Sequence, residues 1–67
     1  METFSVYWTD VSGTQHTEFK FKPMREVRPA IDRLTQGPGR SVVAEIKVVD
    51  ALDRLCWHFK DGQIVPA

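Results

Sequence analysis

The sequence predicts an α+β domain: a two-layer ββαββ sandwich with a short fifth strand, in which a mainly antiparallel sheet carries one helix on one face. Three observations predict it. Phe4, Val6 and Trp8 alternate with Ser5, Tyr7 and Thr9, and after the turn Asp10-Val11-Ser12-Gly13 the alternation resumes with Phe19 and Phe21 against Glu18, Lys20 and Lys22. Met24, Val27, Ile31 and Leu34 recur at helical spacing between Pro23 and Gly37-Pro38-Gly39. Asp61-Gly62 separates Trp57-His58-Phe59-Lys60 from Gln63-Ile64-Val65, which is a strong short-range signal for a hairpin.

Each element follows in order. The first two strands form a hairpin, after which Lys22-Pro23 opens the helical segment. Pro29 complicates that segment, because an interior proline removes a backbone hydrogen bond and costs about 3 kcal/mol. The expectation is an irregular first turn followed by a helix from about Arg28 to Gln36, with Pro29 near its start. Ser41 to Val49 reads as the clearest strand, with Val42, Ala44, Ile46 and Val48 on one face and Val43, Glu45, Lys47 and Val49 on the other. Asp50-Ala51-Leu52-Asp53 makes a turn. Arg54 to Lys60 suits either a helix or a strand, and Asp61-Gly62 decides for the strand. Pro66 stops the fifth strand.

Counting faces gives one apolar side with Phe4, Val6, Trp8, Phe19, Phe21, Val42, Ala44, Ile46, Val48, Leu55, Trp57, Phe59 and Ile64, roofed by Ile31 and Leu34. The other side, carrying Tyr7, His16, Glu18, Lys20, Val43, Glu45, Lys47, Cys56 and His58, is left to water or to a partner.

Length and composition bound the function. The 67 residues make one domain with a thin core, so dimerisation or complex formation is a standing expectation. A hydrophobic fraction of 42% and a charged fraction of 27% suit a globular domain. No apolar run approaches the roughly 18 residues of a membrane span, and Met1-Glu2-Thr3 does not open a signal peptide, so a cytoplasmic address is expected. One cysteine, Cys56, permits no internal disulfide, and no cofactor is expected.

Catalytic and ligand motifs are thin. Cys56 and His58 stand two apart on a strand, yet no orienting acid or oxyanion loop accompanies them. His16, His58 and a carboxylate have no metal-ligand spacing, and no metal site is expected. Asp50, Asp53 and Asp61 sit where turns want them. Gly37-Pro38-Gly39-Arg40 lacks the Lys-Ser/Thr ending of a phosphate loop and reads as a helix stop. Trp8 and Trp57 fall in register with apolar neighbours and fit the core.

Charge is more informative. Net charge is zero, but residues 20 to 40 hold Lys20, Lys22, Arg25, Arg28, Arg33 and Arg40 against only Glu26 and Asp32. Such an island can meet an acidic protein surface or nucleic-acid phosphates, or stand as a solvated helix face. The candidate partner-binding residues are therefore Lys20, Lys22, Arg25, Arg28 and Arg33, with Tyr7, His16 and Lys47 on the sheet face second.

Two resemblances add to this reading. The opening Phe4-Ser5-Val6-Tyr7-Trp8-Thr9-Asp10, then Gly13-Thr14, His16 and a Met-Arg-Glu helix start, resembles short orphan proteins of phages, prophages and plasmids, over about half the chain. Many of these occupy a surface of a host complex, and anti-CRISPR proteins are the best-known class. With the small size, the uneven charge and the lack of a catalytic grouping, that resemblance implies a small non-enzymatic protein that docks on and inhibits or modulates a host protein or nucleoprotein complex; the basic segment 20–40 gives the alternative, a nucleic-acid-binding regulator. Trp57 to Val65 is similar to a hairpin of SnoaL-like domains, which implies, third, a small ligand-binding or cyclase-type domain. The helices that close the pocket in that family have no counterpart in these 67 residues.

Overall fold

A computed structural model of the chain describes residues 2–65. The strands are β1 (Phe4–Asp10), β2 (Gln15–Lys22), β3 (Val43–Asp50), β4 (Leu55–Lys60) and β5 (Gln63–Val65), and the helix α1 is Met24–Gln36. They form one antiparallel five-stranded sheet of order β2-β1-β3-β4-β5 with α1 on one face, the α+β architecture expected from the sequence. Since β2 and β3 flank β1, the connection between them must cross β1, and α1 is that crossover. The stop expected at Pro66 lies outside the described residues.

Turn chemistry sets the hairpins. At the end of β1, Asp10 Oδ1 accepts the N–H groups of Ser12 (2.9 Å) and Thr14 (3.0 Å), while Gly13 takes a φ of 92°. At the end of β3, Asp50 repeats the arrangement: Oδ1 accepts from Leu52 N (2.9 Å) and Arg54 N (3.0 Å), and Asp53 takes the left-handed position with φ 61°. Both loops are thus closed by a carboxylate that reads its own backbone two and four residues on. The third turn is Asp61-Gly62, with φ 53° and 80°, the two positive angles that a two-residue hairpin with right-handed strand twist requires.

Rows of paired residues define the two faces. On the helix side one row runs His16–Trp8–Ile46–Phe59–Ile64, and the next contains Val6–Val48–Trp57. Phe4, Val6, Ile46 and Val48 meet Val27 and Leu34 of α1 in the core, with Ala30 also buried. Full burial of each such aliphatic side chain contributes about 1.5–3 kcal/mol. On the other side the rows read Thr17–Tyr7–Lys47–His58 and Thr9–Glu45–Lys60.

Several expectations are corrected. The helix does not begin near Arg28; it runs unbroken from Met24, with Pro29 inside it on the exposed surface. Pro29 is tolerated there because burial of Val27, Ala30 and Leu34 outweighs one missing hydrogen bond, and water can reach the freed carbonyl. Residues Arg40–Val42 form a 3-10 turn, so β3 starts at Val43. An irregularity between Thr9 and Asp10 of β1 sets Val43 opposite Asp10, so Val43 packs against the core while Val42 is exposed, the reverse of the expected alternation.

Register breaks account for the remaining differences. Irregularities between Phe4 and Tyr7 throw Phe21 out of the apolar face, and another between Val48 and Val49 sets Leu55 opposite Val49. His16 pairs with Trp8 and Glu18 bonds to it, so both lie on the helix side and not on the open face. Cys56 lines a hollow beside α1 with Met24, Arg28 and Trp57, so it does not share a face with His58.

The helix ends at Gly37, which takes extended backbone ahead of Pro38. Gly37 N–H bonds the Arg33 carbonyl at 2.9 Å, and a Cβ at Gly37 would collide with that same oxygen. Denaturant titration should therefore separate two substitutions by sign: Pro29→Ala raises stability by about 1–3 kcal/mol, whereas Gly37→Ala lowers it by about 1–3 kcal/mol.

Candidate functional site

The β2–α1 corner carries the strongest departure from ordinary backbone geometry. Phe21 has φ 56°, a left-handed conformation that costs a residue with a Cβ roughly 1–2 kcal/mol. Its neighbours hold it there: the Phe21 N–H donates to Oγ of the buried Ser5 (3.2 Å), and Lys22 pairs with Phe4. Its side chain repays little of this by packing, because the residue is 59% exposed. The result is an aromatic ring displayed to solvent between Lys20 and Lys22.

The chain then enters α1 at Pro23, which makes no side-chain cap hydrogen bond, and Met24 is 38% exposed in the first turn. The positive end of the helix dipole adds to the cations of Lys20, Lys22 and Arg25 around it, with Glu26 the acidic residue of that turn. Among the described residues, neither of these lysines nor Arg25 or Arg28 takes part in an ion pair.

The predicted basic island is thereby divided. Lys20, Lys22 and Arg25 gather at the corner. Arg28 lies one turn further along α1, beside Cys56 and Trp57. Arg33 lies roughly 140° around the helix axis from Arg28, and pairs with Glu18 on β2. Because Glu18 also accepts the Trp8 indole N–H (3.3 Å), Arg33 ties the last turn of α1 to the first hairpin. It is a clamp within the fold.

The second-choice residues also separate. His16 stacks on Trp8, with ring centroids 4.2 Å apart and planes 19° apart, and its Nε2 lies 2.9 Å from Asp10 Oδ2. Tyr7 and Lys47 do sit together on the open face. There Glu45 lies 2.9 Å from His58 Nε2 and 3.8 Å from Lys47 Nζ, so the charges of that face are largely satisfied among themselves.

These contacts shift three carboxylates. Asp10 is held far below the usual range, first by His16 and then by hydrogen bonds from Ser12 and Thr14. Glu45 is lowered, chiefly by its bond to His58. Asp50 is lowered by the Arg54 backbone N–H first, against the cost of partial burial. None of the three belongs to a group of three metal-ligating side chains among the described residues.

A second surface lies on the helix side, beyond α1. Trp57 and Phe59 are only half-buried, with rings 6.1 Å apart and nearly parallel, and Ile64 is 66% exposed. They extend the core rows past the helix, forming an apolar trough walled by Met24, Arg28 and Ile31 at one end and by Asp32, Thr35 and Gln36 at the other. Counting alternation found its floor but not its exposure, since nothing in the sequence says how far one helix reaches. Phe21 gave no local signal; the bulges that expose it are a property of paired strands.

Two outcomes test this description. Phe21→Gly removes the left-handed penalty at an exposed position, so thermal unfolding should show stability unchanged or raised by about 1 kcal/mol. Asp10, Glu45 and Asp50 are each more acidic in the folded chain than their ordinary values of 3.8, 4.5 and 3.8, so the unfolded chain binds more protons in acid. Their stabilisation is complete above those ordinary values and falls away as pH drops through the folded ones. Urea midpoints should therefore decline below about pH 4.5, and Asp10→Asn should flatten that decline.

Comparison with protein-family models, with curated proteins and with solved structures finds no match to this chain, so these two surfaces carry the functional reading.

Proposed function

We propose that this chain is a non-enzymatic binding module that captures an acidic surface of a host protein or nucleoprotein complex through its β2–α1 corner, and inhibits that complex by occupying the surface. One observation carries the reading: Phe21 is kept in a costly backbone conformation that leaves its ring exposed between unpaired cations. Backbone strain persists where the surroundings over-determine it, and it concentrates at ligand clamps and switches. An exposed aromatic ring supplies the apolar anchor of an interface. Lys20, Lys22 and Arg25 supply attraction and orientation towards a surface of opposite sign. The resemblance to short phage, prophage and plasmid proteins, the anti-CRISPR type among them, supports a host complex as the partner.

A single-stranded nucleic acid is the second reading, favoured by the same ring: a base stacks on an aromatic face while its flanking phosphates meet lysines. No helix among the described residues is long and apolar enough to cross a membrane, which agrees with a partner met outside the bilayer.

Affinity capture from host lysate, with and without nuclease, separates the two readings. Capture that survives nuclease and is lost in Phe21→Gly and in Lys20→Glu/Lys22→Glu/Arg25→Glu, both still folded, is the expected result. Capture abolished by nuclease, together with oligonucleotide binding that weakens steeply with salt, assigns the corner to nucleic acid. Folded variants that capture as well as the parent chain contradict both readings.

A further inference from the structure

We infer that Ser5 is the positioning residue of the β2–α1 corner: its buried hydroxyl selects the bulged pairing of β1 with β2 and so puts the Phe21 ring on the surface. This rests on the proposed use of the corner as a contact surface, and it names the group that builds that surface.

The register confines the event to one extra residue. Val6 pairs with Phe19 and Phe4 pairs with Lys22, so between these pairs β1 contributes Ser5 alone, whereas β2 contributes both Lys20 and Phe21. In an unbroken antiparallel ladder Ser5 would face Lys20, and Phe21 would pair with Phe4 and share its apolar side. The extra residue gives that place to Lys22 and leaves Phe21 over. Unbroken pairing would cover the ring and relieve its left-handed backbone, so apolar burial and local preference both favour the arrangement that the chain does not adopt. A specific contact must therefore favour the bulge.

Ser5 makes that contact. It lies between Phe4 and Val6 in β1 at 2% exposure, the one buried polar residue among the described residues. A hydroxyl so enclosed is stable only when hydrogen-bonded. The extra residue of a bulge, for its part, has no ladder partner for its N–H. The two needs meet in the bond from Phe21 N–H to Ser5 Oγ at 3.2 Å, and among the described residues no buried side-chain nitrogen or oxygen lacks a partner. Shifting to the unbroken register would set Phe21 opposite Phe4 and take this donor away from Ser5. The hydroxyl thus interacts with one of the two pairings only, which is the condition for selecting between them.

NMR on the full chain reads the positioning through the nuclear Overhauser effect between the amide and α protons of Phe21, which a positive φ makes strong by bringing them close. The expected result is a strong effect in the parent chain and a weak one in Ser5→Ala, with new contacts between the Phe21 and Phe4 rings while the signals of Val27 and Leu34 stay in place. The isosteric pair Ser5→Thr and Ser5→Val repeats the comparison at equal side-chain size: the threonine variant should keep the strong effect and the valine variant should lose it. A folded Ser5→Ala chain that keeps the strong effect overturns the inference and leaves the proposed use of the corner standing, as does an equally strong effect in the threonine and valine variants. Capture from host lysate, measured on the same chains, should fall with the effect. A Ser5→Ala chain that loses the effect yet captures as well as the parent supports the positioning and overturns the proposed use.

Discussion

A helix with its side chains is about 10 Å across, whereas five strands spaced about 4.8 Å apart span roughly 19 Å between the outermost axes. One helix therefore cannot roof this sheet, and the topology decides which part it leaves bare. Because α1 links β2 to β3 across β1, it lies over those strands, and Val27, Ala30 and Leu34 complete the core there. The helix side of β4 is only partly covered, and Ile64 on β5 stays exposed. The same rows of apolar side chains thus pass from a sealed core at Val6, Ile46 and Val48 to an open trough at Trp57, Phe59 and Ile64.

Around that incomplete roof, polar contacts hold the parts in place. Arg33 and Glu18 fix the far end of α1 to β2, and Asp10 and Asp50 close the two longer hairpin loops on their own backbones. The deviations from local preference gather on the other side of the same helix. Phe21 in a left-handed conformation, an N-cap without a side-chain bond at Pro23, and Pro29 within the helix all fall within nine residues. Natural sequences keep such departures where something other than stability selects them. That the unpaired cations Lys20, Lys22 and Arg25 occupy the same stretch is the physical basis for reading it as a contact surface.

Much of the fold was legible because each strand alternates and each turn declares its chemistry: Asp61-Gly62 alone decided that Trp57 belongs to a strand. The differences in the strands share one cause. Alternation was extended through each strand as if pairing were unbroken, but bulges in the β1–β2, β1–β3 and β3–β4 pairs move Phe21, Val43 and Leu55 off their expected faces, while His16 is placed by its pairing with Trp8. A bulge depends on the partner strand, and none of these strands carries the glycine that can mark one in a sequence. Pro29 misled for a different reason: local propensity was given more weight than the burial that the helix gains on both sides of it. Of the site, the cationic corner was foreseen, but its separation from Arg33 and the exposure of Phe21 required the fold.

Hydroxyl-radical footprinting, read by mass spectrometry at a dilution where single chains prevail, measures the extent of the roof most directly. The account requires Trp57, Phe59 and Ile64 to be oxidised while Val6, Val27 and Val48 stay protected. Protection of Trp57 and Phe59 as complete as that of Val48 would mean that α1 covers the whole sheet, and would contradict it.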